Sequence, residues 1–205
     1  MFKYKDVFNL ALSEKFEKTG KFDFPVIKMA KTIPKDIIPF NKAMSESNPG
    51  QKFVHFYIDD YQFERLWNRP EYYAKVLSKF AGIIGPDYST YTNMPKAQQI
   101  YQVYKSRLIT AYFQSQGYEV IPNLSWSDEQ SLEWSLEGIP KNSVVALSTN
   151  GVLNKNTKEK FINCYKKAIQ MINPSEIIIV GEVPKEIQSP NIVQFDNHIK
   201  HLRCL

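Results

Sequence analysis

The chain is poor in the residues that most readily announce a chemistry. Its 205 residues include 2 cysteines, 3 histidines and 8 glycines, and its only arginines are Arg65, Arg69, Arg107 and Arg203. Cys164 and Cys204 lie far apart and have no metal-type spacing, so free thiols of a reducing compartment are expected rather than a disulfide. So few arginines make bidentate phosphate clamps scarce. The patterns G-x-x-x-x-G-K-[ST], G-x-G-x-x-G, G-x-S-x-G, H-E-x-x-H and C-x-x-C are all missing. Their absence disfavours P-loop NTPases, standard dinucleotide enzymes, α/β-hydrolases, zincins and cysteine-ligated clusters. No apolar run approaches the roughly 18 residues that would span a bilayer, and the first residues have no signal-type apolar core. A soluble, cytoplasmic chain with no membrane partner is expected.

Charge excludes less. Lys and Arg number 26 against 21 Asp and Glu, a net +5, with a pI near 9.0. The basic residues form no long tract, so a nucleic-acid partner rests on overall charge alone. A hydrophobic fraction of 43% with 14% aromatics is that of a folded globular protein.

What is present is alternation. Residues 1–50 read as an N-terminal extension packed on a core of residues 51–205. An amphipathic helix is expected over residues 1–24, marked by Val7, Leu10, Ala11 and Glu14 and stopped by Gly20. A Pro-interrupted segment follows, with a short strand at residues 26–29 and ordered coil to Gly50. From there, short apolar runs at 53–59, 81–87, 118–126, 143–151, 175–182 and 191–197 read as strands. Helical spacing fills the intervals, most clearly from Pro95 to Gln116 and from Asn156 to Asn173, with a shorter helix capped by Ser127. The tail HIKHLRCL reads as a closing turn of helix. Continuous apolar strands alternating with amphipathic helices indicate an α/β fold, with a mainly parallel sheet of five to seven strands built from sequential βα units and open to curling into a partial barrel.

In a parallel sheet every strand C-terminus lies on one face, so residues distant in sequence become neighbours. The run FAGIIGPDYSTY is the sharpest such end, because Pro86 fixes the exit and Asp87 follows directly. Asp87, Asp59 and Glu129 are the candidate acids for general acid–base work. Tyr88, Ser89, Arg107, Asn123, Trp126 and Asn150 are candidate ligand contacts, with Trp126 a possible stacking platform for a base or sugar. Asp59, Asp87 and Glu182 are candidate oxygen ligands for Mg²⁺ or Mn²⁺. Asp and Asn also begin turns for backbone reasons, so it is the number of acids on one face of a basic protein that argues for function. His55 reads as a core histidine, and His198 with His201 lack the partners of a zinc site.

The segments HFYIDDYQFERLW, GIIGPDYSTYTNMPKAQQIYQVYKSR, QGYEVIPNLSWSDE and GIPKNSVVALSTNG resemble an uncharacterised bacterial and phage family of unknown function with a Gly-Pro-Asp motif. The resemblance runs from Phe53 to Asp196 and implies a phage or mobile-element context. Relatives commonly carry a glycine before the Asp-Glu pair and a histidine before the last glycine; here Ser127 and Asn150 stand there. If that histidine is catalytic in relatives, this chain has kept binding without catalysis. Three functions are therefore carried forward. The first is binding of a phosphorylated or nucleotide-like ligand, with metal-dependent hydrolysis. The second is non-catalytic binding of a host protein, as in counter-defence. The third is nucleic-acid binding.

Overall fold

A computed structural model describes residues 6–196, so the expected C-terminal turn, with His198, His201 and Cys204, lies outside the described residues. Along the chain come α1 (Leu10–Ser13), β1 (Lys18–Thr19), β2 (Phe24–Pro25), β3 (Asp36–Pro39), α2 (Phe40–Ala43) and β4 (Lys52–His55). Then follow α3 (Arg65–Asn68), α4 (Pro70–Leu77), β5 (Gly82–Ile84), α5 (Lys96–Ser115), β6 (Val120–Ile121) and α6 (Leu132–Ser135). The chain continues through β7 (Val144–Ser148), α7 (Lys158–Ile172), β8 (Glu176–Val180) and β9 (Ile192–Phe195).

Strands β3 to β6 form one parallel sheet and β7 to β9 another, each in sequential order. The expected strand at 118–126 explains the division. Pro122 has no N–H for the ladder, so β6 stops after two residues and its continuation changes partner. Ala146 N then donates to Pro122 O at 2.9 Å, Leu124 N donates to Ala146 O at 2.8 Å, and Asn123 bridges Ala146 in parallel. Seven parallel strands thus follow one another in chain order, joined by that single bridge.

The strands are apolar on both faces because both faces are buried. Ile38, Val54, Ile83 and Val120 point to a core shared with α2 to α5, while Val145, Leu147, Ile177 and Ile179 point to a second core built with α6 and α7. Ile37, Phe53, Ile84, Ile121, Val144, Ala146, Ile178 and Val180 form the opposite face with Val193 and Phe195. Among the described residues no helix contributes to that inner cluster, yet Ile84, Ile121, Ala146, Ile178 and Val180 are fully buried. An uncovered flat sheet would leave them in water, so the sheet curls about its own inner side chains. It does not close into a barrel.

The first fifty residues depart from expectation. In place of a helix over 1–24 there is the four-residue α1 and an antiparallel β1–β2 hairpin. Gly20, at φ 72°, makes the turn, and Phe24 is buried against Val103 of α5 and Trp134 of α6. Residues 26–29 form no strand, because their backbone is bonded elsewhere: Ile27 N to Gly138 O at 3.0 Å and Lys28 N to the Gln114 side chain at 2.8 Å. The strand lies instead at Asp36–Pro39, in register with Lys52–His55. Its proline is tolerated because β3 is the last strand of its sheet. The helices at 95–116 and 156–173 appear as α5 and α7 within two residues of the expected ends. Ser127 caps no helix; its hydroxyl donates to Gln99 Oε1 at 2.6 Å, and α6 begins only at Leu132.

Candidate functional site

The C-terminal ends of β4 to β7 open on one cleft of about 400 Å³. Asp59, Asp87, Tyr88, Ser89, Trp126 and Asn150 all line it, so the parallel sheet gathers these residues as the strand-end argument requires. Its floor is apolar, with Leu124 and Leu147, and Trp126 lies over the Phe161 ring of α7 with centroids 5.7 Å apart and planes 26° from parallel.

Asp87 sits on the wall between β5 and β6. Gly85 brings this segment close enough that a Cβ there would meet Thr110 Oγ1 at 2.7 Å, and its N–H donates to Ile121 O at 2.9 Å. Ser106 Oγ donates to Pro86 O at 2.6 Å, fixing the next residue onto α5. The Asp87 carboxylate accepts from Asn123 Nδ2 at 2.8 Å, and Asn123 Oδ1 accepts from the Tyr57 hydroxyl at 2.9 Å. Burial is the dominant electrostatic influence and raises the Asp87 pKa to about 7. The Asn123 bond pulls it down and the nearby Asp60 charge pushes it up, both less strongly. A carboxyl that exchanges its proton near neutrality, in a cleft, is suited to general acid or base work.

The flanking loops are held as firmly. Gln99 Nε2 donates to Tyr91 O at 3.1 Å and Met94 O at 2.9 Å, and its Oε1 accepts from Ser127, so α5 grips both rims. Asn123 is buried beneath the lining, 1% exposed, and acts on the cleft through Asp87.

Three expected site residues are placed elsewhere. Arg107 is wholly buried, and its guanidinium donates to the carbonyl oxygens of Ser135, Glu137 at 3.3 Å and Asn123 at 3.4 Å. It ties α5 to the end of α6 and to the β6 end, and does not face the cleft. Burial lowers its pKa to about 9. Glu129 is exposed and ion-paired with Lys167 of α7. Glu182 is exposed beyond β8, outside the cleft lining. The expected metal set of Asp59, Asp87 and Glu182 does not converge: among the described residues no three His, Cys, Asp or Glu side chains come close enough to hold an ion.

Tyr57 was missed, and Asp60 was not told apart from Asp59 at the same strand end. Tyr57 alternates with Phe53 and His55 along one strand face, and that period-two placement was the available sign that its hydroxyl would sit under the strand ends. Asp60 accepts from Ser89 N at 3.0 Å, Ser89 Oγ at 2.8 Å and Gln102 Nε2 at 3.1 Å. Its adjacency to Asp59 concealed the difference, since Asp59 faces the cleft and Asp60 faces the fold. His55 is buried and stacks on Tyr57, as a core histidine.

Fold and site together define an α/β protein with a curled parallel sheet and a carboxyl-bearing cleft at its strand ends. The chain belongs to the family described as Domain of unknown function (DUF4417), whose model matches residues 16–196. It is 32% identical over 183 residues to the Gene 1 protein of Mycobacterium phage L5, covering 87% of this chain and 78% of that protein. It is 30% identical over 149 residues to the Gene 1 protein of Mycobacterium phage D29, covering 72% of this chain and 54% of that protein. No solved structure matches the chain. A family of unknown function with phage relatives is what the sequence motifs implied. No helix among the described residues is long and apolar enough to cross a membrane.

Proposed function

We propose that this phage-related protein binds a small, ring-bearing, uncharged or cationic ligand in the strand-end cleft, and that Asp87 exchanges a proton with it. The observation that carries this reading is the Asp87–Asn123–Tyr57 chain, which holds a carboxyl with a burial-raised pKa of about 7 on the cleft wall. The ring is argued from Trp126 and Tyr91 on the walls, and the hydrogen-bonding edge from Ser89, Thr90, Ser125 and Ser148. A nucleoside-like or sugar-like molecule has both features.

The phosphate of a phosphorylated ligand finds less support. Among the described residues no Lys or Arg lines the cleft, and the Arg107 guanidinium is committed to carbonyl oxygens. Two acids without a facing cation repel a phosphate. Proton transfer, rather than metal-assisted hydrolysis, is the chemistry this lining fits.

Isothermal titration with nucleosides, free bases and monosaccharides, each beside its phosphorylated form, tests the reading. The expected result is binding of an unphosphorylated ring compound that weakens at least tenfold in Asp87→Asn. Binding that needs the phosphate, or that ignores Asp87→Asn, contradicts it, as does silence across the panel.

A further inference from the structure

We infer that Asp60, which does not line the cleft, is the positioning residue that seats the Asp87 loop. The inference rests on the reading of Asp87 as the working carboxyl of the cleft. Asp60 lies in the turn after β4, yet its carboxylate accepts hydrogen bonds from two other elements. Oδ2 accepts from the Ser89 backbone N–H at 3.0 Å, and Oδ1 accepts from that N–H at 3.3 Å. Oδ1 also accepts from the Ser89 hydroxyl at 2.8 Å, and Oδ2 from Gln102 Nε2 of α5 at 3.1 Å. One carboxylate therefore joins the turn after β4, the loop after β5 and the face of α5.

The consequence for Asp87 follows from where the loop is pinned. Asp87 lies between two fixed residues: Pro86, held through its carbonyl by Ser106, and Ser89, held by Asp60. With Asn123 bonded to its carboxylate, Asp87 is held from α5, from β6 and from the turn after β4. A loop released at Ser89 would admit water and let the Asp87 carboxyl swing away from Asn123.

Asp60 acts on Asp87 in a second way, through charge. The groups facing this region are Asp59 and Asp60 from the turn after β4, Tyr57 from the end of β4, Tyr88 from the loop itself, and Lys105 of α5. Lys105 is paired with Glu64 at 2.9 Å and lies 4.0 Å from the Tyr88 ring centroid, so its charge is already compensated. The β6 and β7 ends bring only neutral Asn123, Ser125, Ser148 and Asn150. Of these groups Asp60 is the like charge that raises the Asp87 pKa.

The two roles separate in two variants. Asp60→Asn keeps an acceptor for Ser89 but removes the charge; Asp60→Ala removes both. The full chain is titrated without ligand by ¹³C NMR of the Asp87 carboxyl, and amide hydrogen exchange is followed at Ser89. Asp60→Asn should lower the Asp87 midpoint and leave Ser89 protected. Asp60→Ala should move the midpoint away from the parent value and cost Ser89 about tenfold or more in protection. An Asp87 midpoint unmoved in both variants, or full Ser89 protection in Asp60→Ala, overturns the inference. If Asp60→Ala does not fold, Ser89→Ala with Asp60→Asn supplies the same separation. Because no ligand is present, failure of the ligand panel above leaves this outcome readable on its own.

Discussion

The strand ends of β4 to β6 and those of β7 to β9 carry acids in similar positions and use them differently. In the first group Asp60 and Asp87 are engaged by hydrogen bonds from neighbouring elements, and Asp87 is buried enough to titrate near neutrality. In the second group Glu182 and Asp196 remain exposed, and the cleft receives no acid from β7 or the segment after it, but Leu147, Ser148, Asn150, Gly151, Val152 and Phe161. A carboxylate at a strand end is therefore not yet a site. On the reading proposed above it becomes one when the loop that bears it is folded back over the sheet and bonded there, as the Asp87 loop is through Gly85, Pro86, Ser89 and Asn123.

Arg107 offers the most forceful way to break this contrast, because it anchors the first group from beneath. Its replacement by Met removes the donor to three buried carbonyls, and the loss should reach about 3 kcal/mol or more in denaturant unfolding. Cleft binding should fall with it, since Asn123 shares that anchor. Stability within about 0.5 kcal/mol of the parent would show that Arg107 does not hold the β6 end.

Asp87→Asn sharpens the contrast through pH. The folded carboxyl titrates at about 7, against an ordinary value of 3.8. Between those values the unfolded chain has released a proton that the folded chain still holds. Stability should therefore fall as pH rises from about 4 to about 7 and then level off. The Asn variant carries no such charge and should gain on the order of 1–3 kcal/mol over the parent at pH 8, with little difference at pH 4. Thermal unfolding at the two pH values measures this. An equal effect at both would mean that Asp87 is not buried as a charge.

Asn123→Ala comes next. It removes the bond that favours the charged carboxylate, so the Asp87 midpoint should rise above about 7, at a cost of about 1–2 kcal/mol in stability. A falling midpoint in the carboxyl titration would indicate that water replaces Asn123 fully. Glu129→Gln should have the smallest effect, within about 0.5 kcal/mol and with cleft binding unchanged, because its partnership with Lys167 is exposed. Weakened ligand binding in that variant would return Glu129 to the site.

Much of the fold was legible because it depends on period. The 3.6-residue spacing of Phe161, Cys164, Tyr165, Ala168 and Ile172 identified α7, and the unbroken run Ile177-Ile178-Ile179-Val180 identified a strand covered on both faces. The strand β3 was hidden by Pro34 and Pro39, which argue against a central strand but are compatible with an edge. The hairpin β1–β2 was hidden because its strands are only two residues each, too short for the alternation of Phe22 and Phe24 to register, and packing on α5 and α6 is what fixes them.

The site divides in the same way. Asp87 was legible because Gly-Pro-Asp constrains its backbone locally. Arg107 was misread because its partners are carbonyl oxygens, which leave no mark in a sequence. Glu129 was misread because the turn before α6 directs it outward to Lys167, away from the strand ends. Asp59 and Asp60 are identical neighbours whose roles diverge only once Ser89 and Gln102 are in place.

The most direct measurement is the pH titration of the Asp87 carboxyl by ¹³C NMR in the unmodified, ligand-free chain. A midpoint close to 7 is expected if the loop after β5 buries Asp87 on Asn123. A midpoint near 3.8 would mean that the carboxyl is solvated like any surface acid, and the cleft would lose its working group.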